Sequence, residues 1–234
     1  RDRMVGTVHD GAGQIVEATW LPLPHEVGFI AWEAAPIVAD NLERITAMLI
    51  GPGFGQMATT GKFLDDLTAK VGTDLPPLVI DADGLKLLSK LEDWPQRLPK
   101  PAVLTPHPGE MSVLTGESIA DIQQDRLATA EDYAKQWGHV VVLKGAFTVI
   151  ASPDGRTAII PVATPALARA GTGDVLAGII TGLRAQGVPA FEAAAAGAWL
   201  HGRAGLAAAK AVGHPAATLA GDLIPQLAKV MTIP

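Results

Sequence analysis

The chain has 234 residues, 48% of them hydrophobic and 18% charged, a balance that supports a buried core and does not suit a disordered chain. Its net charge is −6 and its 18 Lys and Arg form no run, which excludes the electrostatic footprint of a nucleic-acid binder. The lack of Cys excludes disulfides, thiol catalysis and Cys-ligated metal centres, and no apolar run reaches the ~20 residues of a bilayer span, so a cytoplasmic protein without nucleic-acid or membrane partners is expected.

Residues 1–40 show no clear period, and with Arg1 in place of Met they read as the inside of a longer protein. The apolar run Ile45 to Ile50 ends at a glycine-rich turn, Gly51-Pro-Gly53-Phe-Gly55, and Phe63, Leu64, Leu67 and Val71 follow at helical spacing. Leu78 to Ile80 closes on Asp81-Ala-Asp83-Gly84 and leads into a short helix through Leu85, Leu87, Leu88 and Leu91. Ala102 to Leu104 ends at Thr105-Pro-His107-Pro-Gly109-Glu110, after which Met111 and Leu114 open a helix and Ile122 to Trp137 form a longer one. Val140 to Leu143, Phe147 to Ala151 and Thr157 to Ile160 read as successive strands of an antiparallel corner. The rest is helical: Asp174 to Ala185, Ala190 to Ala211 and Ala217 to Val230. Repeated strand, turn and helix predict an α/β three-layer sandwich, a mainly parallel sheet covered by helices on both faces, in a single domain over 1–234. Ligands of such sheets sit at the carboxyl ends of the strands, where every polar, glycine-rich turn of this chain falls.

The turn 51–55 fails the spacing of a P-loop and meets only a loose dinucleotide pattern, so a tight turn and a ligand-contacting turn both stay open. Ala170-Gly171-Thr172-Gly173-Asp174 carries more chemistry, because glycines run straight into a helix start. Bare N–H groups there can hold the charge of a phosphoryl group in transfer, and Asp174 beside them can take a proton from an attacking hydroxyl; a helix-capping Asp is the alternative. His107 and Glu110, three residues apart around fixed prolines, can serve a metal or a substrate, or be an ordinary loop pair. Asp81 and Asp83 at a strand end suit a hydrated Mg2+, or are simply solvated acids. Lys144-Gly145-Ala146-Phe147-Thr148 offers a cation and backbone amides to phosphates, or is a plain turn. His201-Gly202-Arg203-Ala204-Gly205 reads as close helix packing.

In this order GPGFG, IDADGL, LTPHPGEMSVLTG, VVLKGAFTVI and ARAGTGDVLAGIITGL, with HG-x-AG after Trp199 and a closing GDLI, resemble the ADP- or ATP-dependent NAD(P)H-hydrate dehydratases of the ribokinase-like superfamily, over about Leu42 to Ile224. The resemblance implies a ribokinase-like fold and a hydro-lyase that repairs hydrated NADH or NADPH. It implies ADP or ATP bound by Lys144, Gly145, Ala146, Phe147 and Thr148 with Gly171, Thr172 and Gly173. The hydrate would lie near Gly53, Gly55, His107 and Asp174, with Asp174 catalytic. Mg2+ is implied at Glu110, which falls where kinases of the superfamily keep an Asn-x-x-Glu acid; Asp83 is the second metal candidate. A homo-oligomer, and a fused or separate NAD(P)H-hydrate epimerase, are the expected partners.

The chain departs from the family pattern in two places. Ala168-Arg169-Ala170-Gly171 stands where Ala-Thr-Gly-Gly is usual, which points an extra cation toward the phosphates. Nothing in Arg1 to Val38 matches the family's usual opening strand and Gly/Ala-rich helix, so that unit is expected to be missing. Two other readings remain at this point: a vitamin-precursor kinase of the same superfamily, and a non-catalytic nucleotide-binding fragment.

Overall fold

A computed structural model describes residues 18–231. A two-stranded hairpin, β1 (His25–Glu26) and β2 (Phe29–Ile30), precedes helix α1 (Ala34–Ala39). The main sheet has six strands in chain order: β3 (Met48–Ile50), β4 (Leu78–Ile80), β5 (Val103–Leu104), β6 (Val140–Leu143), β7 (Val149–Ala151) and β8 (Thr157–Ile159). β3 to β6 run parallel, with Ile50 opposite Ile80, Ile80 opposite Leu104 and Leu104 opposite Val141; β7 and β8 return antiparallel. The antiparallel corner read from the sequence is therefore present.

Each parallel strand lies beside its predecessor, so right-handed crossovers put all the connecting helices on one face. These are α2 (Ala58–Lys70), α3 (Asp83–Leu88), α4 (Pro108–Thr115), α5 (Ile119–Gln124) and α6 (Arg126–Trp137). Leu78, Ile80, Leu104, Val141 and Leu143 point into this layer and pack with Phe63, Leu64, Leu67, Leu85, Met111 and Trp137. The alternate residues Val79, Val103, Val140, Val142 and Ile150 point the other way. They are covered by α7 (Thr172–Ala185) and α8 (Ala190–Val212) through Leu176, Ile180, Ala193, Ala194 and Ala198. A last helix, α9 (Ile224–Val230), packs through Leu227 on α8, beside Ala204 and Ala208. The three-layer α/β sandwich of the sequence reading stands.

Local chemistry moved several boundaries. The long helix expected over Ile122 to Trp137 breaks at Asp125, whose carboxylate accepts the Ala128 N–H at 2.9 Å and so starts α6 afresh. Phe147 has φ +55°, which no strand residue adopts, and β7 begins two residues later than expected. The helix expected from Ala217 is instead two 3-10 turns, Pro215–Ala217 and Ala220–Asp222, before α9; Asp222 accepts the Leu219 N–H at 2.8 Å.

The turn after β3 is pressed against the turn after β4. A β-carbon at Gly51, where φ is +123°, would lie 1.8 Å from the Asp81 carbonyl oxygen. Gly51→Ala is therefore expected to cost on the order of 3 kcal/mol, read as a lower urea midpoint, through backbone strain and displacement of the Asp81 turn. An unchanged midpoint would show that the two turns are not locked together.

Candidate active site

The carboxyl ends of β4, β5 and β6 bring three charged side chains together. Lys144, just after β6, places Nζ 2.6 Å from Asp81 Oδ1 and 3.5 Å from Glu110 Oε2. Both carboxylates are buried, with side chains 1% and 4% exposed, and Lys144 is the cation they share. The first turn of α7 sits directly above: a β-carbon at Gly173 would stand 3.5 Å from Lys144 Nζ and 3.9 Å from Asp81 Oδ2. Gly173 thus lets the helix start approach a cation.

Four backbone donors in the segments around this cluster are unpaired. The Gly173 and Asp174 N–H groups, in the first turn of α7, meet no acceptor among the described residues, and neither do those of Gly145 and Ala146. Free amides beside an ammonium and a helix start make an anion site. Gly171 supplies the left-handed entry to α7 at φ +84°, and Thr172 anchors it by donating its hydroxyl to the Leu167 and Arg169 carbonyls at 2.7 and 2.8 Å. Thr148 donates to the Gly145 carbonyl at 3.0 Å and Phe147 N–H to Val162 at 3.1 Å, so both hold the 144–148 turn.

His107 caps α4. Its Nδ1 accepts the Gly109 and Glu110 N–H groups at 3.0 and 3.1 Å, while Glu110 Oε2 accepts the His107 N–H at 2.8 Å. This reciprocal capping box fixes both side chains and leaves the neutral ring's proton on Nε2. His107, Lys144, Gly145, Ala146, Thr148, Thr172 and Gly173 line one cavity of about 730 Å3, whose other wall is Val162, Pro165, Leu167, Leu176 and His201. The lining combines backbone amides and charge with apolar surface, as a nucleotide requires.

Asp174 titrates above an ordinary aspartate because its surroundings are partly desolvated and the Asp81 carboxylate repels its charge, with Lys144 opposing. A carboxylate of raised basicity beside a phosphate-type site can take a proton from a hydroxyl. His201, which the sequence reading assigned to packing, lines the cavity. Burial, with Lys144 nearby, lowers it to about 4 and keeps it neutral. The His-Gly pair inside an Ala-rich helix was its only signal in the sequence.

Gly53 and Gly55 lie on the 51–55 turn and do not line this cavity. Gly53, at φ +74°, has open space where a side chain would be, and Gly55 backs onto the Phe29 ring. Asp83 accepts the Gly55 N–H at 3.1 Å and also contacts Gln56 and Lys86, so it staples the turn. The two expected metal ligands thus have other work on different elements: Asp83 in that staple, Glu110 in the capping box and on Lys144. Among the described residues no three His, Cys, Asp or Glu side chains are grouped to hold a metal ion. The side chains form no cage of their own for Mg2+. Arg169, expected to face the phosphates, donates instead to the Ala216 carbonyl and is not part of the cavity wall.

A protein-family model described as NAD(P)H-hydrate dehydratase matches residues 7–228. The chain belongs to the NAD(P)H-hydrate dehydratase family. The match extends into residues 7–38, where the sequence alone offered no recognisable family feature. The bifunctional NAD(P)H-hydrate repair enzyme Nnr of Moorella thermoacetica is 42% identical over 221 residues, which are 94% of this chain and 41% of that protein. The chain therefore spans about two fifths of the length of that relative. The Bacillus subtilis ADP/ATP-dependent NAD(P)H-hydrate dehydratase, co-crystallised with ATP and Mg2+ and soaked with CoA, superposes with a TM-score of 0.76 at 29% identity, covering 97% of this chain and 78% of that one. A ribokinase-like superfamily protein of Enterococcus faecalis gives 0.77 at 28% identity, covering 97% and 72%. The ribokinase-like fold expected of a family dehydratase is the fold found.

Proposed function

We propose that this chain performs the dehydration of hydrated NADH or NADPH, driven by ADP or ATP. The observation that carries the reading is the meeting of Lys144 with the free Gly145, Ala146 and Gly173 amides on one nucleotide-sized cavity, beside a basic Asp174 in the same first turn of α7. The nucleotide lies in that cavity, its phosphates on Lys144, Gly145 and Ala146 and on the Gly171 to Gly173 turn, with Phe147 and Thr148 shaping the loop. The hydrate lies along Gly53, Gly55 and His107 and presents its ring hydroxyl to Asp174.

Hydroxide is a poor leaving group, and phosphorylation removes that obstacle. Asp174 accepts the hydroxyl proton as the oxygen attacks the terminal phosphorus, and the nucleotide leaves one phosphate shorter. The amides and Lys144 carry the charge on the moving phosphoryl group. The ring nitrogen then expels phosphate, and loss of a proton from the neighbouring carbon restores the dihydropyridine. With no cage among the described side chains, Mg2+ would depend on the nucleotide's phosphates for its place and would supply neutralisation of their charge. We place the reaction in the cytoplasm, in a homo-oligomer, with an NAD(P)H-hydrate epimerase fused or separate. Among the described residues no helix is long and apolar enough to cross a membrane.

The test mixes the protein with hydrated NADH, Mg2+ and either ADP or ATP and follows the reduced-nicotinamide absorbance. Recovery with release of one phosphate per NADH is expected. No recovery with either nucleotide rejects the reading, and a stable phosphorylated alcohol would reassign the chain to a small-molecule kinase.

A further inference from the structure

We propose that Arg126 is the positioning residue of the 144–148 loop, setting its peptide planes so that the Gly145 and Ala146 amides stand free for phosphate. The inference rests on the reading of that loop as the nucleotide site. Arg126 opens α6, where a cation opposes the helix dipole, and among the described residues no carboxylate pairs with it. Its fork goes instead to two carbonyls of the loop. Nη2 donates to Leu143 at 2.8 Å and Nη1 to Ala146 at 2.6 Å.

The carbonyl and N–H of one peptide plane point in opposite directions. The Leu143–Lys144 plane is therefore held at both ends, by Arg126 and by the Lys144 N–H donating to Pro106 at 2.8 Å. The Ala146–Phe147 plane is held likewise, by Arg126 and by the Phe147 N–H on Val162 at 3.1 Å. Between these clamps lie the two planes whose N–H groups remain unpaired, those of Gly145 and Ala146. The guanidinium also packs against Gly145, where a β-carbon would stand 2.8 Å from Nη2 and 3.1 Å from Cζ. One side chain thus explains both the glycine and the unpaired amides. A lysine ammonium is a single point and cannot reproduce a fork spanning two carbonyls three residues apart.

R126Q and R126K in the full chain test this by calorimetric titration with ATP and with ADP, alongside steady-state kinetics with hydrated NADH and Mg2+. In both variants the nucleotide Kd and KM are expected to rise about tenfold or more, with kcat within about threefold of wild type, the split expected when binding rather than chemistry is lost. If R126Q does not fold, R126K, which retains the charge, carries the test. Wild-type affinity in R126K overturns the fork argument. So does a variant that loses kcat and thermal stability together with nucleotide KM unchanged, since that is a purely structural role. A wild-type chain that binds neither nucleotide rejects the reading of the site itself, whereas a binding wild type with equally tight variants rejects only the role of Arg126.

Discussion

Asp174→Asn is expected to lower turnover of the hydrate about 1,000-fold while leaving nucleotide affinity unchanged or slightly tighter. The amide keeps the shape of the carboxylate and the first turn of α7, but it cannot accept the hydroxyl proton. It also removes a negative charge next to the phosphate amides. Retention of a tenth of wild-type turnover would exclude Asp174 as the base.

The same substitution carries a stability signature of opposite sign. Asp174 is more basic in the fold than the 3.8 of an unperturbed aspartate, first because of desolvation and then because of Asp81. Between those two values the native state binds more protons than the unfolded one, so stability falls as pH rises through that window and stays lower above it. Asn is spared this penalty. D174N is expected to melt at or slightly above the wild-type temperature at pH 7, with the gap closing as pH falls below about 3.8. The change is small because Asp174 is solvent-exposed. If Asp174 is the base, the acid limb of the wild-type kcat/KM profile is expected to lie above the pH at which an ordinary aspartate titrates.

Most of this centre was legible because its parts are turns. Glycines beside Asp174, prolines around His107 and the Lys144-Gly145 pair mark places where the backbone must stop being strand or helix, and such marks are local. What joins them is not local. Asp81 and Lys144 are 63 residues apart, and nothing in either segment announces that they pair. His-x-x-Glu was open to two meanings, and the spacing suited to a metal is also the N-cap to N3 spacing of a capping box, which is what His107 and Glu110 form. His201 was hidden by its setting, because a helix rich in Ala and Gly buries residues on several sides and gives no polar stripe to read. The hairpin of β1 and β2 was missed for another reason: two residues per strand are too few to show a period of two.

Lys144→Met is expected to remove about 3–5 kcal/mol of stability at pH 7, the range found when one partner of a buried ion pair is deleted. The upper part of the range applies because a single ammonium serves both Asp81 and Glu110, and each carboxylate is nearly sealed from water. Removing Asp81's charge as well should return part of the loss, so D81N/K144M is expected to unfold at a higher urea concentration than K144M, a coupling typical of groups in contact. A K144M midpoint within about 1 kcal/mol of wild type would mean that water screens the pair and that burial of the acids is not what holds the cation. The double variant also separates structure from chemistry. Its regained stability is expected to bring back no turnover, because under the proposed reaction the neutral side chain at position 144 still cannot offset the phosphoryl charge beside Gly173.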